Sequence, residues 1–190
     1  MKKNTTLQGY KMHKIITKEN VLNESYLEYL HKTTSSNNFP WHFLIDSANN
    51  IKGSLSLEKN YSWSHILFRD GQETSYTYNL FYPAVLQIFE CLNLKNKKII
   101  RLRLGMTTAY NEKLIHNSHT DFQFKHETIL LYLNDSDGNT IFYDKKNKII
   151  QEVEPKKNKI VYFDGLIPHS SSKPYKNTYR IVLNINITDI

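Results

Sequence analysis

The stretch Thr128-Ile129-Leu130-Leu131-Tyr132-Leu133, then Asn134-Asp135-Ser136-Asp137-Gly138-Asn139, then Thr140-Ile141-Phe142-Tyr143 holds two short apolar runs around a dense turn signal. Asn, Asp, Ser and Gly favour the tight turns that separate strands. Short runs rich in β-branched and aromatic residues fit half-buried strands better than helices. The same two-residue period recurs over 99–104, 149–153, 160–163 and 179–187. Several short strands punctuated by turns predict a β-sandwich or jelly roll. Before residue 98 the pattern is mixed. Leu22, Tyr26, Tyr29 and Leu30 have helical spacing and predict a helix over 21–31. The strongest helical pattern covers 78–94, with Pro83 near its start, where proline is tolerated. Between them, 39–45 reads as extended, and 61–68 is strand-like with Tyr61, Trp63, His65 and Leu67 on one alternation. The expected architecture is mainly β with supporting helices, an α+β fold. It forms a single domain over 1–190, in which 1–97 supplies supporting helices and strands, the helices packing on one sheet, and 98–190 supplies the β core.

A chain of 190 residues suits one domain with a sizeable core. The formal charge is +7, but the lysines are scattered as Lys2-Lys3, Lys97-Lys98, Lys145-Lys146 and Lys156-Lys157, mostly at turns. A nucleic-acid binder would concentrate such charge in a stripe, so a solvated surface is the expectation and nucleic acid is not a favoured partner. Cys91 is the only cysteine and lies within the helical pattern, so a buried structural thiol is expected and no internal disulfide can form. A lone cysteine suits a reducing compartment. With no apolar run of signal-peptide or membrane-spanning length, the expected location is the cytoplasm (the host's, if the source is viral).

The chemistry concentrates in His119-Thr120-Asp121, in Pro168-His169 and in Arg180. Residues i and i+2 of an extended segment point to one face, so His119 and Asp121 can reach one metal while Thr120 points away. His169 follows the strand 160–163 and the turn Asp164-Gly165-Leu166-Ile167-Pro168, and can fold back as a third ligand. Two imidazoles and a carboxylate on one face leave the opposite face open, which is the ligand set of non-heme Fe(II) oxygenases. A tetrahedral structural zinc site would want a fourth ligand, usually with cysteines. Two nearby histidines compete weakly for ligand roles: His116 on the lead-in loop, and His126, which begins the next strand and is expected to face solvent. His13, His31, His42 and His65 carry no ligand spacing, and His65 is the best placed of these to line a pocket.

In order and spacing these pieces resemble the core of the 2-oxoglutarate/Fe(II)-dependent dioxygenase superfamily, most like its prolyl 4-hydroxylase branch of small bacterial and viral members. The resembling segments are His119-Thr120-Asp121, 128–134, Gly138-Asn139-Thr140-Ile141-Phe142, Pro155-Lys156, Val161-Tyr162-Phe163-Asp164, Pro168-His169 and Arg180. The resemblance implies a double-stranded β-helix (jelly roll, cupin-like) core. It implies that His119, Asp121 and His169 bind Fe(II), and that Arg180 and Tyr132 hold the distal carboxylate of 2-oxoglutarate. It further implies a hydroxylase that uses O2 and releases succinate and CO2. Arg suits the carboxylate because its planar fork is permanently charged. Two departures stand out. The family's paired glycine before Thr140 is here Asp137-Gly138, and the loop 107–117 is unlike that of a typical prolyl hydroxylase.

Alternation adds Thr140 and Asn184 as candidates to line the same pocket. Arg101 and Arg103 share a face of the first core strand; one of them could meet an anionic cosubstrate or substrate, but a solvated strand face is the favoured expectation. Trp41, Tyr61, Trp63, Tyr76 and Tyr78 are expected in the core more than in a substrate groove. Two other readings remain open: a cupin-like metalloenzyme that needs no 2-oxoglutarate, and a non-catalytic β-sandwich binding module. The substrate is not named by these residues; a peptide side chain, a small metabolite and a nucleobase are all candidates.

Overall fold

A computed structural model describes residues 15–46 and 60–190. Lys2, Lys3 and His13 lie outside the described residues. The elements run β1 (Ile16–Glu19), α1 (Glu24–Thr34), β2 (His42–Leu44), β3 (Ser62–Arg69), β4 (Gln72–Glu73), α2 (Tyr78–Leu92), β5 (Lys97–Thr108), β6 (Glu127–Tyr132), β7 (Thr140–Tyr143), β8 (Ile149–Val153), β9 (Lys159–Asp164), β10 (His169–Ser171) and β11 (Tyr179–Asp189). All pairings among the described residues are antiparallel. The large sheet has the order β1-β9-β6-β11-β5-β3-β2, with β4 on β3, and a small sheet has the order β10-β7-β8.

The turn at 134–139 does not close a simple hairpin. It leads from β6 in the large sheet to β7 in the small one. Asp137 organises the crossover, accepting from the backbone N–H groups of Lys176 (2.8 Å) and Asn177 (3.1 Å). Gly138 is needed here because a Cβ would lie 2.7 Å from the Ser172 carbonyl oxygen.

Each central strand of the large sheet has an apolar face and a face turned to the second layer. The first packs Leu102, Leu104, Ile129, Leu131, Leu183 and Ile185 against Leu27 and Leu30 of α1 and Phe81, Val85 and Ile88 of α2. The helices therefore support one sheet face, as expected. The opposite face joins the small sheet through Leu130, Tyr132, Phe142, Val153, Val161 and Phe163. Two packed layers around a shared apolar interior are the usual solution for burying both sheets.

Helix α1 starts later than residue 21. Asn158 accepts from the Leu22 N–H (2.8 Å) and holds that segment extended, and Asn23 then caps the helix by accepting from Tyr26 N–H (3.2 Å). Helix α2 ends at Leu92 because Asn93 turns left-handed (φ 54°). Pro83 lies inside this helix rather than in its first turn. Cys91 is half-buried, not fully enclosed. Tyr76 is 83% exposed, against the expectation of core, whereas Tyr78 is buried.

Candidate metal and cosubstrate site

His119 and His169 are fifty residues apart in sequence but adjacent in space, because their backbones form an isolated antiparallel bridge. Each N–H donates to the other's carbonyl at 2.9 Å. Their rings are centred 5.0 Å apart. Ligand atoms of His119, Asp121 and His169 all lie within 4.8 Å of one another. The structure thus brings together the three residues singled out for a metal, and His116 and His126 are not part of that cluster.

The surroundings of the cluster suit a cation. A carbonyl can only accept, so each histidine must donate from Nδ1: His119 to Asn117 (3.3 Å) and His169 to Ile167 (3.0 Å). Both rings are thereby left with a bare Nε2 lone pair, and a fixed tautomer of this kind is the usual outer support of a metal-bound histidine. Burial pushes the His119 imidazole down to about 4, assisted by the neighbouring His169. Burial pushes His169 down as well. Both rings are therefore neutral at neutral pH, the form that binds metal.

Asp121 is held on every side. Arg101 Nη2 donates to its Oδ1 (2.5 Å), while Asn186 (2.9 Å) and Asn184 (3.1 Å) donate to its Oδ2. Burial alone would raise the carboxyl, but the Arg101 guanidinium, the two histidines and the Asn186 amide hold it well below the usual carboxylate range. It stays an anion. Arg101 also donates from Nε to Asn186 (3.0 Å) and lies over the Phe122 ring. The expectation of a solvated strand face for Arg101 and Arg103 is therefore wrong. Both point to the interior, and Arg103 lines the cleft that contains the triad.

Arg180, at 4% exposure, lies deeper in the same cleft. Its Nη2 donates to Thr140 Oγ1 (2.7 Å), which also shares a hydrogen bond with the Tyr132 hydroxyl (2.7 Å). Its guanidinium carbon sits 5.3 Å from the Tyr132 ring centre. Among the described residues, Arg180 Nε has no hydrogen-bond partner and no carboxylate pairs with this guanidinium. An uncompensated buried cation is costly, and an anionic ligand in the cleft would remove that cost. Thr140 and Asn184 line the cleft as alternation suggested; Tyr132 stands behind Thr140 rather than on the open wall.

Other residues differ from expectation. His116 is buried on the cleft wall, with Nδ1 to Ser171 Oγ (3.0 Å) and with Nε2 unpartnered among the described residues. His126 does not face solvent. It is buried against Gly165, where a Cβ would fall 2.1 Å from its ring. His65 does line a pocket, as expected, but a separate one with His42 and Arg69 outside the triad cleft, and it is bonded to the Pro40 carbonyl (3.0 Å) and Ser75 Oγ (2.7 Å). Trp63, expected in the core, lines the cleft. Sequence reasoning missed the roles of Arg101, Asn186 and His116. The available signal for Arg101 and Arg103 was the leucines that alternate with them: a strand with Leu102 and Leu104 on one face is central, and its other face must also meet protein.

Residues 105–188 match a family model described as the 2OG-Fe(II) oxygenase superfamily. That region, a little under half of the protein, is similar to the superfamily. Members use Fe(II), 2-oxoglutarate and O2, and the matched region holds all three clustered residues and Arg180. No curated protein sequence matches it. Among solved structures, a 2OG-Fe(II) oxygenase family oxidoreductase from Burkholderia pseudomallei is similar at TM-score 0.69 and 9% identity, over 92% of this protein and 84% of that one. A prolyl-4-hydroxylase from Pseudomonas putida is similar at TM-score 0.57 and 16% identity, over 94% of each. The viral collagen prolyl hydroxylase of Paramecium Bursaria Chlorella virus-1, solved as a 2OG complex, is similar at TM-score 0.56 and 11% identity, over 93% and 96%. The protein shares with these structures a double-stranded β-helix core.

Proposed function

We propose that this protein is a 2-oxoglutarate-dependent oxygenase that hydroxylates its substrate, with His119, Asp121 and His169 holding Fe(II) and Arg180 docking the distal carboxylate of 2-oxoglutarate. One observation carries the assignment: a His-Asp-His cluster within 4.8 Å shares a cleft with a buried arginine that lacks an anion among the described residues. The two neutral imidazoles offer bare Nε2 atoms, and the Arg101, Asn184 and Asn186 contacts keep Asp121 ionised and aimed. Arg180 and the Thr140 hydroxyl offer donors to a carboxylate, and Tyr132 holds Thr140 in place. When bound, Fe(II) with 2-oxoglutarate and O2 supplies the oxidising power to turn a substrate C–H into C–OH, with succinate and CO2 as coproducts.

The prolyl hydroxylase resemblance supports a peptide side chain or a small molecule as substrate. Buried Arg180 favours 2-oxoglutarate dependence over a cupin-type enzyme that needs no cosubstrate. A single cysteine supports a reducing compartment such as the cytoplasm. The test is an anaerobic titration with Fe(II) and then 2-oxoglutarate. A weak visible charge-transfer band is expected to grow with 2-oxoglutarate and to be absent in Asp121→Ala, together with succinate release on adding air. Wild-type protein that binds iron but not 2-oxoglutarate would reject the assignment.

A further inference from the structure

Three guanidinium groups converge on the site. Arg101 is paired with Asp121 and, on the assignment above, Arg180 receives the cosubstrate. Arg103 is left. Its Nε donates to Ser64 Oγ (2.8 Å), and no carboxylate among the described residues pairs with it. Burial and the neighbouring Arg101 push its guanidinium down to about 10, opposed by Asp121. It therefore remains charged at neutral pH. Counting Fe(II), Asp121, a doubly charged 2-oxoglutarate and the three arginines, the loaded cleft keeps an excess of positive charge.

Two polar atoms without partners among the described residues stand on the same wall. Ser62 Oγ is buried, lines the cleft and has no hydrogen bond there. Asn184 is the direct cross-strand partner of Arg103 in the β11–β5 register, so their side chains are neighbours on one sheet face. The orientation of its amide is set by Asp121, a carboxylate that can only accept: Nδ2 must be the atom 3.1 Å from Oδ2. Asn184 Oδ1 therefore faces away from Asp121, and it is buried without a donor. A buried acceptor left without a donor is costly, so the wall as built calls for a ligand with a donor beside an anion.

We propose that Arg103, Ser62 and Asn184 form the substrate subsite and that the substrate is a free α-amino acid. The carboxylate docks on the Arg103 fork and the Ser62 hydroxyl, and the ammonium donates to Asn184 Oδ1. In an α-amino acid the two groups sit on one carbon, which matches anchors on directly opposed residues of adjacent strands. An internal residue of a peptide offers no carboxylate there. The remainder of such a substrate extends from these anchors along the wall formed by Trp63, Met106 and Val182. Hydroxylation converts one C–H bond of that remainder to C–OH, the second oxygen atom of O2 entering succinate as 2-oxoglutarate loses CO2.

This inference rests on the metal and cosubstrate assignment, and the experiment separates the two. Anaerobic protein is first saturated with Fe(II) and 2-oxoglutarate; failure at this step rejects both. The twenty common L-amino acids and their α-carboxamides are then titrated separately, with the charge-transfer band read for a shift. At least one amino acid is expected to shift the band and to bind at least about tenfold more tightly than its amide, since the amide removes the charge recognised by Arg103 and puts an NH2 donor in place of one acceptor oxygen. Arg103→Met is expected to abolish that shift while leaving 2-oxoglutarate affinity within about twofold, and Asn184→Leu to weaken the amino acid about tenfold or more. The comparison of acid with amide needs no variant and so survives any misfolding of Arg103→Met. A panel with no binder, an amide that binds as well as its acid, or an Arg103→Met protein that loses 2-oxoglutarate itself would each overturn the proposal.

Discussion

On β11, Ile181, Leu183, Ile185 and Ile187 pack toward the helices, whereas Arg180, Val182 and Asn184 turn to the cleft and Asn186 reaches Asp121. The same division runs along β5, with Leu102 and Leu104 on one side and Arg101 and Arg103 on the other. The helix face is complete in itself: its apolar groups are removed from water and need nothing more. The cleft face is not complete. Among the described residues it holds an unpaired Arg180 Nε, an unpaired Asn184 Oδ1 and an unpaired His116 Nε2. One set of strands thus carries a face that stabilises the fold and a face that awaits ligands, and substitutions on the two should separate stability from binding.

The largest effect is expected from breaking the helix face. Leu183 is fully buried in the helix-side core, so Leu183→Ala should cost about 2–5 kcal/mol of unfolding free energy, read by denaturant titration. The residual folded protein should bind 2-oxoglutarate normally once iron is present. A selective loss of cosubstrate affinity with little loss of stability would mean that the two faces are not separable. The reverse pattern is expected from Arg180→Met. Removing a buried, unpaired charge in favour of an apolar side chain of similar length should leave the metal-free protein as stable or raise its melting temperature. The same change should weaken 2-oxoglutarate by about 2 kcal/mol or more, a factor of about 30, by isothermal titration. Iron should still bind. Arg101→Met sharpens the contrast within the cleft, because this arginine positions Asp121 rather than meeting a ligand itself. It should lower metal affinity about 10–100-fold, measured by competition with a chelator, with a smaller effect on stability.

The division into two faces was largely legible in the sequence. Thr128, Leu130 and Tyr132 on one side, and Arg180, Val182 and Asn184 likewise, follow from a period of two. So do the spacing of His119 and Asp121 and the positions of most strands. What alternation cannot supply is the identity of the opposing group. Arg101 looked like a solvated residue because its partner, Asp121, comes from a separate loop twenty positions later. His126 looked exposed for the same reason: its cover is Gly165, on the far side of β9. The start of α1 was misplaced because Asn158, distant in sequence, takes up the backbone N–H of Leu22. Each miss is a local pattern overruled by one long-range contact with a group that no periodicity reveals. The helix face shows no such reversal, since apolar packing tolerates many partners.

His116 offers the smallest and most specific test. It is buried on the cleft wall beside Lys173, Arg180 and His119, with Ser171 as its hydrogen-bond partner. Burial first, then the positive charges of Lys173 and Arg180, push its imidazole down to about 3. In the unfolded state it titrates near the ordinary histidine value of about 6.5. Between those two values the unfolded state binds a proton that the folded state refuses. Stability must therefore fall as pH drops from about 6.5 toward about 3, by up to about 1.4 kcal/mol per pH unit from this residue. His119 and His169, both shifted down, act in the same direction. The depressed Asp121 adds its own loss only at lower pH, beginning as the unfolded carboxylate protonates near about 4. Comparing wild type with His116→Asn in metal-free denaturant titrations at pH 7, 6, 5 and 4.5 isolates the one share, because the variant can start from a different stability but cannot keep the His116 slope. An unchanged slope would show that His116 is not excluded from protonation, and that the cleft face admits charge as readily as water does.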